Sequence, residues 1–250
     1  MSLNGKVAFI TGGGKNLGAD IARELAALGA SLALHYNSPS SEAESRKTAK
    51  DLAAAYPNIK IKLYQADLTT ASAIEGIFTA VEKDFGRIDI VVNTIGKVLK
   101  KPITDISEKE YDDMFAINSK SAFFIIKEAA KHVADGGKIV TIATSLLAAF
   151  TGYYTSYAGS KAPVEHFTRG AAKELQARGI SVNVVAPGPM DTPFFYPAET
   201  DETVAYHKSQ AMGNRLTDTK DISPIVRFLV TEGSWINGQT IFPNGGYTTR

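Results

Sequence analysis

The sequence has no cysteine and almost no net charge, and both shortages exclude classes of protein. Without cysteine, a disulfide framework and a thiolate zinc site are impossible, and the composition fits a reducing compartment. A net charge of +1 over 250 residues provides no global field that would attract nucleic acid or an anionic membrane. No apolar run is long enough to span a bilayer, and the N-terminal residues lack the segments of a signal peptide. We therefore expect a cytoplasmic protein without nucleic-acid or membrane partners.

Metal binding is not predicted either. The four histidines show no ligand spacing with aspartate or glutamate, so we interpret them as structural or solvent-facing residues: His35, His132, His166 and His207.

Apolar runs alternate with helical patterns along the chain. Seven runs are typical of buried parallel strands, and six helical patterns lie between them, near residues 17–28, 41–55, 71–84, 107–132, 157–178 and 219–231. The predicted strands are Val7–Thr11, Ser31–His35, Ile59–Gln65, Ile88–Asn93, Lys138–Ala143, Ser181–Ala186 and Thr240–Phe242. This alternation predicts an α/β fold: one doubly wound domain over residues 1–250, with a parallel seven-stranded sheet and helices on both faces.

One segment departs from the alternation. Residues 187–214 are rich in proline, glycine and aromatic residues, and a connection this long in a compact domain is usually functional. We expect a substrate loop there.

A glycine-rich turn follows the first predicted strand and opens the first helix. Glycines let the backbone approach a pyrophosphate, and the helix N-terminus offers free N–H groups and partial positive charge. The candidate dinucleotide-binding residues of this turn are Gly12, Lys15, Asn16, Leu17 and Gly18.

The end of the second strand indicates which dinucleotide is bound. An acidic residue is expected there if the ribose 2′-hydroxyl of NAD is the ligand, but the chain has Tyr36, Asn37 and Ser38, followed by two further serines. Uncharged donors together with Lys15 suit a 2′-phosphate, so we favour NADP(H), with NAD(H) still possible. The same residues could also form a turn that caps the next helix.

Tyr157 and Lys161 are four residues apart in a predicted helix, and therefore lie on one face. A phenol has an ordinary pKa near 10, and a nearby ammonium group favours the phenolate and lowers that pKa. The pair is a candidate acid/base unit for an alcohol O–H bond, although this spacing also arises by chance.

Together with the glycine turn, this pair makes residues 6–246 resemble the short-chain dehydrogenase/reductase family. The resemblance implies a Rossmann domain and a catalytic set of Asn118, Ser145, Tyr157 and Lys161. It also implies further cofactor contacts, at Asp67 and Leu68 beside the adenine, at Asn93 and Gly96 after the fourth strand, and at Pro187, Gly188, Met190 and Thr192 near the nicotinamide. A homotetramer is expected from the same resemblance.

The chain departs from the family pattern in three places. Asn16 replaces the middle glycine of the turn, but asparagine tolerates left-handed backbone angles. Thr94 and Ile95 are bulkier than the usual residues beside the nicotinamide. Thr144 lies 13 residues and Ser145 lies 12 residues before Tyr157 in the sequence. Both spacings are acceptable for the catalytic hydroxyl of the family, and Ser145 is preferred by residue type.

The resulting hypothesis is an NADP(H)-dependent oxidoreductase that interconverts a ketone and a secondary alcohol, with Tyr157 as acid/base. Lys97, Lys100 and Lys101 suggest an alternative, a 3-oxoacyl reductase that binds an acidic acyl-carrier protein, although such a cluster is often only a solvated loop. A catalytically silent NADP(H) sensor or scaffold is a third possibility.

Aromatic residues and two leucines on both sides of Tyr157 bear on the small-molecule substrate. They suggest an apolar pocket for an aryl or bulky ketone, but loop packing or a subunit contact explains them equally well. The exposed phenols could alternatively serve a polar, sugar-like substrate. These residues are Leu146, Leu147, Phe150, Tyr153, Tyr154, Phe194, Phe195, Tyr196 and Tyr206.

Overall fold

The computed structural model describes residues 2–249 and contains one seven-stranded sheet in which every pairing is parallel. The strand order is β3-β2-β1-β4-β5-β6-β7. The strands are β1 (Val7–Thr11), β2 (Ser31–Tyr36), β3 (Ile61–Gln65), β4 (Ile88–Asn93), β5 (Val133–Ile142), β6 (Ser181–Val185) and β7 (Thr240–Ile241). The predicted α/β fold is confirmed.

Helices cover both faces of the sheet. They are α1 (Asn16–Ala27), α2 (Glu42–Ala55), α3 (Ala71–Phe85), α4 (Glu108–Phe115), α5 (Ser121–His132), α6 (Thr155–Lys161), α7 (Pro163–Leu175), α8 (Asp201–Ser209) and α9 (Thr219–Val230). One core cluster joins the sheet to α1, α2 and α9, and a second joins it to α3, α5 and α7. Successive β1 side chains alternate between them, with Ala8 and Ile10 in the first and Phe9 in the second. Burial on both faces explains why the strand sequence is continuously apolar.

Three helical regions differ from the prediction. The single helix predicted at 157–178 is divided into α6, α7 and a 3₁₀ turn at Gln176–Arg178. The pattern at 107–132 is interrupted by one π-helical segment, Ala116–Lys120, between α4 and α5. The 187–214 segment contains α8, whose N-terminus is held by a reciprocal capping box between Thr200 and Thr203. The predicted substrate loop is therefore partly ordered as a helix, because local capping adds order that hydrophobic periodicity does not reveal.

The chain reverses direction across the sheet between β1 and β4. It first builds β1, β2 and β3 outward, and then returns to place β4 beside β1, with Thr11 opposite Asn93 at the carboxyl ends. Ligands of open α/β sheets bind at such a reversal. None of the helices within residues 2–249 has the length and apolar character needed to cross a bilayer.

Candidate active site

The glycine turn fills the space between β1 and α1. Gly12 has φ +68° and Asn16 has φ +47°, so asparagine does adopt the left-handed conformation that its position in the turn requires. A Cβ atom on Gly18 would lie 2.1 Å from the carbonyl oxygen of Gly12. Glycine at position 18 is therefore what allows α1 to start directly against the turn.

The N-terminus of α1 is open toward a groove. Lys15 occupies the N-cap position, and its side chain makes no capping hydrogen bond, so the first-turn N–H groups remain available to an anion. The Lys15 ammonium instead lies 3.4 Å from Oγ of Ser41, in the segment that connects β2 to α2. The predicted reach of Lys15 to the end of β2 is thus present.

His35 is a part of this site that sequence reasoning missed. The Gly12 N–H donates to His35 Nδ1 at 3.1 Å, and His35 Nε2 donates to the Ala66 carbonyl at 2.9 Å. Burial lowers the pKa of His35 to about 4, so the ring is neutral and can accept from Gly12. A histidine at the end of a buried strand, beside a glycine turn, was the available signal.

A long groove runs from the glycine turn to Tyr157 along the carboxyl ends of the strands; we call it the strand-end groove. It encloses about 1590 Å³ of atom-free space, part of it open to solvent. Predicted cofactor residues that line it are Gly12, Lys15, Asn16, Leu17, Gly18, Tyr36, Asn37, Ser38, Leu68, Gly96, Tyr157, Lys161, Met190 and Thr192.

Four predicted cofactor residues lie outside the lining of this groove. Asp67 is exposed and accepts from the Thr69 N–H, while Asn93 is buried and its Oδ1 accepts from Thr11 Oγ1 at 2.8 Å. Pro187 and Gly188 line a neighbouring pocket instead. In this structure, Asn93 therefore ties together the ends of β1 and β4.

Tyr157 and Lys161 are both buried on α6. Lys161 Nζ donates to the carbonyl oxygen of Ile142 at 3.1 Å, and a Cβ atom on Gly96 would lie 2.9 Å from the same ammonium. Burial lowers the pKa of Lys161 to about 8. The backbone of β5 and the glycine at position 96 thus fix where this cation lies.

The pKa of Tyr157 shifts opposite to the predicted direction. Burial raises it to about 12, and a hydrogen bond with the Thr144 side chain opposes that rise. The expectation that Lys161 sets a lowered pKa is therefore wrong for this structure, because desolvation of the phenolate is the largest effect.

The hydroxyl that hydrogen-bonds Tyr157 belongs to Thr144, whereas residue type favoured Ser145. Ser145 Oγ donates to the Ala186 carbonyl at 2.7 Å and accepts from Asn244 Nδ2 at 3.0 Å. Its proton is therefore committed to the backbone that follows β6. Residue type favoured serine, but the direction of each side chain decides which hydroxyl faces the phenol.

Asn118 lies in the π-helical segment and is buried. Its Nδ2 donates to the Lys97 carbonyl at 2.8 Å and to Ser160 Oγ at 3.0 Å, and its Oδ1 accepts from the Lys97 N–H at 3.0 Å. The amide thus joins α6 to the loop that follows β4. Asn118 and Lys161 are brought together around Gly96, where a Cβ atom would lie 2.9 Å from both side chains.

A second cavity, the apolar pocket, adjoins the groove and encloses about 670 Å³ of atom-free space, part of it open to solvent. Of the aromatic and leucine residues predicted around the substrate, Leu146, Tyr154, Phe194 and Phe195 line it. Phe150, Tyr153 and Tyr206 are exposed instead. Tyr157 lines both the apolar pocket and the strand-end groove.

Two of the three lysines after β4 are neutralised within the chain. Lys100 pairs with Glu199 at 2.5 Å, and Lys101 pairs with Glu110 at 2.9 Å. These contacts remove most of the free positive charge that docking of an acyl-carrier protein would use. Residues 2–249 also contain no cluster of histidine and carboxylate side chains arranged to hold a metal ion.

Comparisons with known proteins cover nearly the whole chain. The family model described as enoyl-(acyl carrier protein) reductase matches residues 12–248. The chain is 37% identical to an NADPH-dependent aldehyde reductase of Arabidopsis thaliana, a chloroplastic protein, over 98% of this chain and 95% of that protein.

Two solved structures share the fold. One, from Burkholderia cenocepacia, is described as a dehydrogenase with bound NADP; it superposes with a TM-score of 0.97 at 59% identity, covering 100% of this chain and 96% of the other. The second is a blue fluorescent protein from a metagenomic library in complex with NADPH, with a TM-score of 0.92 and 33% identity over the full length of both chains. With the glycine turn, the Tyr157–Lys161 pair and the strand order in place, the chain belongs to the short-chain dehydrogenase/reductase family.

Proposed function

We propose that this NADP(H)-dependent oxidoreductase interconverts a ketone and a secondary alcohol, with Tyr157 as the acid/base. The observation that carries the proposal is the position of Tyr157, which lines the strand-end groove on one side and the apolar pocket on the other. A phenol at this junction can reach an oxygen atom in the pocket while the cofactor occupies the groove.

The groove fits an NADP(H) molecule. The uncapped N-terminus of α1 suits a pyrophosphate, and Lys15, Asn37 and Ser38 suit a 2′-phosphate. The prediction of NADP(H) over NAD(H) is confirmed by relatives that are NADPH-dependent or contain NADP or NADPH. When bound, the cofactor supplies or accepts the hydride at the carbonyl carbon.

The side chains between the groove and the pocket bind the carbonyl oxygen and transfer a proton to it. Thr144 holds the carbonyl oxygen by donating a hydrogen bond, and Tyr157 donates its phenolic proton to that oxygen during reduction. The ammonium of Lys161 stabilises the phenolate that remains. Asn118 acts through its contacts with Lys97 and Ser160, which set the position of α6 relative to the groove.

The 3-oxoacyl-carrier-protein alternative has weaker support. The matching family model carries an acyl-carrier-protein description, but Lys100 and Lys101 are already paired with Glu199 and Glu110. Competition by acyl-carrier protein in a ketone-reduction assay separates the two substrate classes.

The silent-sensor alternative makes a different prediction. A sensor would bind NADPH without turning over any member of a broad carbonyl and alcohol panel. A buried Tyr157 in contact with Thr144, between a groove and a pocket, favours a catalyst.

Replacing Tyr157 tests the proposal directly. Tyr157→Phe removes one oxygen atom, and we expect turnover to fall by roughly three orders of magnitude or more, near the upper part of the range for general acid catalysis. NADPH affinity should stay close to the wild-type value. Tyr153→Phe, at an exposed neighbouring position, is the matched control and should retain activity. Near-native turnover of Tyr157→Phe on the best substrate of the panel contradicts the mechanism.

The homotetramer and the cytoplasmic location stay predictions. Light scattering measures the first, and fractionation of the source cells measures the second.

A further inference from the structure

Two further tyrosines line the apolar pocket beside Tyr157. Tyr154 precedes α6, and its ring centroid lies 6.3 Å from that of Tyr157. Tyr247 comes from the segment after β7. A phenolic hydroxyl can donate or accept, so the chemistry that these two groups offer a ligand depends on where their protons point.

Glu199 fixes the direction of the first proton. Its side chain is 1% exposed, it accepts from the Lys100 ammonium at 2.5 Å, and it accepts from the Tyr154 hydroxyl. Burial opposes ionisation of this carboxyl, but hydrogen bonds from Lys100, Thr203 and Tyr154 outweigh it and hold the pKa of Glu199 below its ordinary value. An ionised carboxylate only accepts, so the Tyr154 proton points at Glu199.

The same carboxylate fixes the second proton through His207. His207 Nε2 lies 3.4 Å from Glu199 Oε2, and burial lowers the pKa of His207. The ring is therefore neutral, with its proton on Nε2 toward the carboxylate. Nδ1 is then an acceptor, and Tyr247, whose hydroxyl lies 2.9 Å from it, must donate.

The hydroxyl oxygens of Tyr154 and Tyr247 can consequently only accept a hydrogen bond from a ligand, because their protons are already donated to Glu199 and His207. The single charge at this wall is compensated, because Lys100 pairs with Glu199. A neutral hydrogen-bond donor matches such a surface better than an ammonium group does. The ammonium charge would lose its hydration without gaining an unpaired carboxylate.

We infer that the substrate is a neutral carbonyl compound that also carries a hydroxyl group, which donates a hydrogen bond to Tyr154 or Tyr247. The inference rests on the proposed function, since it concerns the second polar group of the molecule whose carbonyl oxygen meets Thr144 and Tyr157. Most of the remaining pocket wall is apolar, with Leu146, Met190, Phe194 and Phe195 among its residues, and Thr192 adds a hydroxyl to it.

Ligand pairs that differ in donor capacity test the inference. The 2′-, 3′- and 4′-hydroxyacetophenones are compared with their methoxy counterparts, which keep the oxygen but lack the proton. Calorimetric titration into the enzyme saturated with NADP⁺ measures affinity without requiring turnover. For at least one positional pair, we expect the hydroxyl compound to bind about tenfold more tightly, the effect of one hydrogen bond in a desolvated site.

Variants assign that preference to the tyrosines. Tyr154→Phe or Tyr247→Phe should reduce the hydroxyl-to-methoxy ratio to about one to threefold, the range left when one acceptor is removed. Tyr153→Phe, exposed and outside the pocket, should keep the wild-type ratio. A wild-type ratio near one for all three pairs, or the absence of measurable binding by all six compounds, overturns the inference.

Glu199→Gln tests the directional argument by itself. A glutamine amide can donate as well as accept, so Tyr154 becomes free to turn its proton toward the ligand. We expect the preference for the hydroxyl compound to disappear or to reverse in favour of the methoxy compound. Glu202→Gln, at an exposed position on α8, is the control, and Tm together with NADPH affinity shows that each variant is folded.

The two proposals fail differently. Near-native turnover by Tyr157→Phe contradicts the proposed function and leaves the binding ratio unaffected. A ratio near one with Tyr157-dependent turnover overturns only the hydroxyl inference.

Discussion

The strand-end groove and the apolar pocket meet at Tyr157, but they are constructed in different ways. The groove is made largely from strand ends and the turns that follow them, so residues close in sequence form each part of it. The pocket combines side chains from the segments after β4, β5, β6 and β7. Its polar wall depends on contacts such as Lys100–Glu199, between residues 99 positions apart.

Sequence motifs therefore predict the groove more dependably than the pocket. A parallel strand followed by glycines and a helix produces a phosphate-binding geometry from local backbone alone. A pocket between loops acquires its chemistry only when distant side chains orient one another. Substitutions in the groove should therefore affect cofactor binding, and substitutions in the pocket should affect the reacting oxygen or the choice of substrate.

The largest expected difference lies between two adjacent hydroxyls. Thr144→Val should lower kcat by about 10²–10³-fold, because it removes a donor to the developing oxyanion while keeping the side-chain volume. Ser145→Ala should leave kcat within about threefold and lower stability by roughly 1–3 kcal/mol, since Asn244 and the Ala186 carbonyl lose a buried partner. Steady-state kinetics and thermal melts measure both; a larger kcat loss in Ser145→Ala contradicts the assignment of Thr144.

In the groove, Gly18→Ala should weaken NADPH binding by roughly tenfold or more. The new Cβ atom meets the Gly12 carbonyl oxygen, so the turn or α1 must move, at a cost of about 1–3 kcal/mol for an overpacked site. Gly76→Ala on α3, where a Cβ atom meets nothing within 4 Å, is the control and should raise stability slightly. Fluorescence titration with NADPH distinguishes the two, and unchanged affinity in Gly18→Ala would show that the turn is more plastic than its geometry indicates.

Lys15→Ala tests whether Lys15 binds the 2′-phosphate that distinguishes NADPH from NADH. We expect kcat/KM for NADPH to fall by about tenfold or more, since a hydrogen bond to a charged group is lost, with little change for NADH. Lys47→Ala, at an exposed position of α2, should change neither value. An equal loss with both cofactors would place Lys15 at the shared pyrophosphate instead of the 2′-phosphate.

The smallest expected effect is on the pH dependence of folding stability, and it comes from His35, which supports the glycine turn. The folded-state pKa of His35, about 4, lies below its ordinary value of 6.5, so the unfolded chain binds more protons between these values. His35 therefore reduces stability as the pH falls from about 6.5 toward 4. His207, whose pKa is also lowered, contributes in the same direction.

Melts of His35→Gln across this pH range test the claim. The variant is expected to have a lower Tm at pH 7 and a weaker dependence on pH than the wild type. His166→Gln, at an exposed position of α7, should keep the wild-type pH dependence. Parallel pH curves for wild type and His35→Gln would mean that other groups produce the acid sensitivity.

Much of the fold was predictable because its signals are short-range. Buried parallel strands are apolar over five or six consecutive residues, and glycines mark several of the turns between elements. The order of the strands and the register that places Thr11 opposite Asn93 come from the folded sheet and were not part of the prediction. The π-helical segment at Asn118 and the helix α8 were not predictable from periodicity, because neither changes the apolar pattern enough to be detected.

Within the site, the sequence identified Tyr157 and Lys161 but gave the wrong direction for the Tyr157 pKa. An ammonium four residues away suggests a lowered value, whereas burial, which depends on the whole fold, raises it. The contact of Tyr157 with Thr144, where residue type favoured Ser145, has a related origin. Neighbouring side chains at the end of a strand point in different directions, and residue type does not record which one contacts the phenol.

The doubly wound sheet, the glycine turn and the shared helix face of Tyr157 and Lys161 were predictable from the sequence, because each arises from residues that are close along the chain. Only the folded chain brings Thr144 to Tyr157 and His35 to Gly12, and only there does Glu199 set the direction of the Tyr154 and Tyr247 protons. These contacts and proton directions depend on burial and on the approach of distant segments. A buried charge or hydroxyl takes its chemical role from the groups that replace water around it, and only the folded chain supplies those groups.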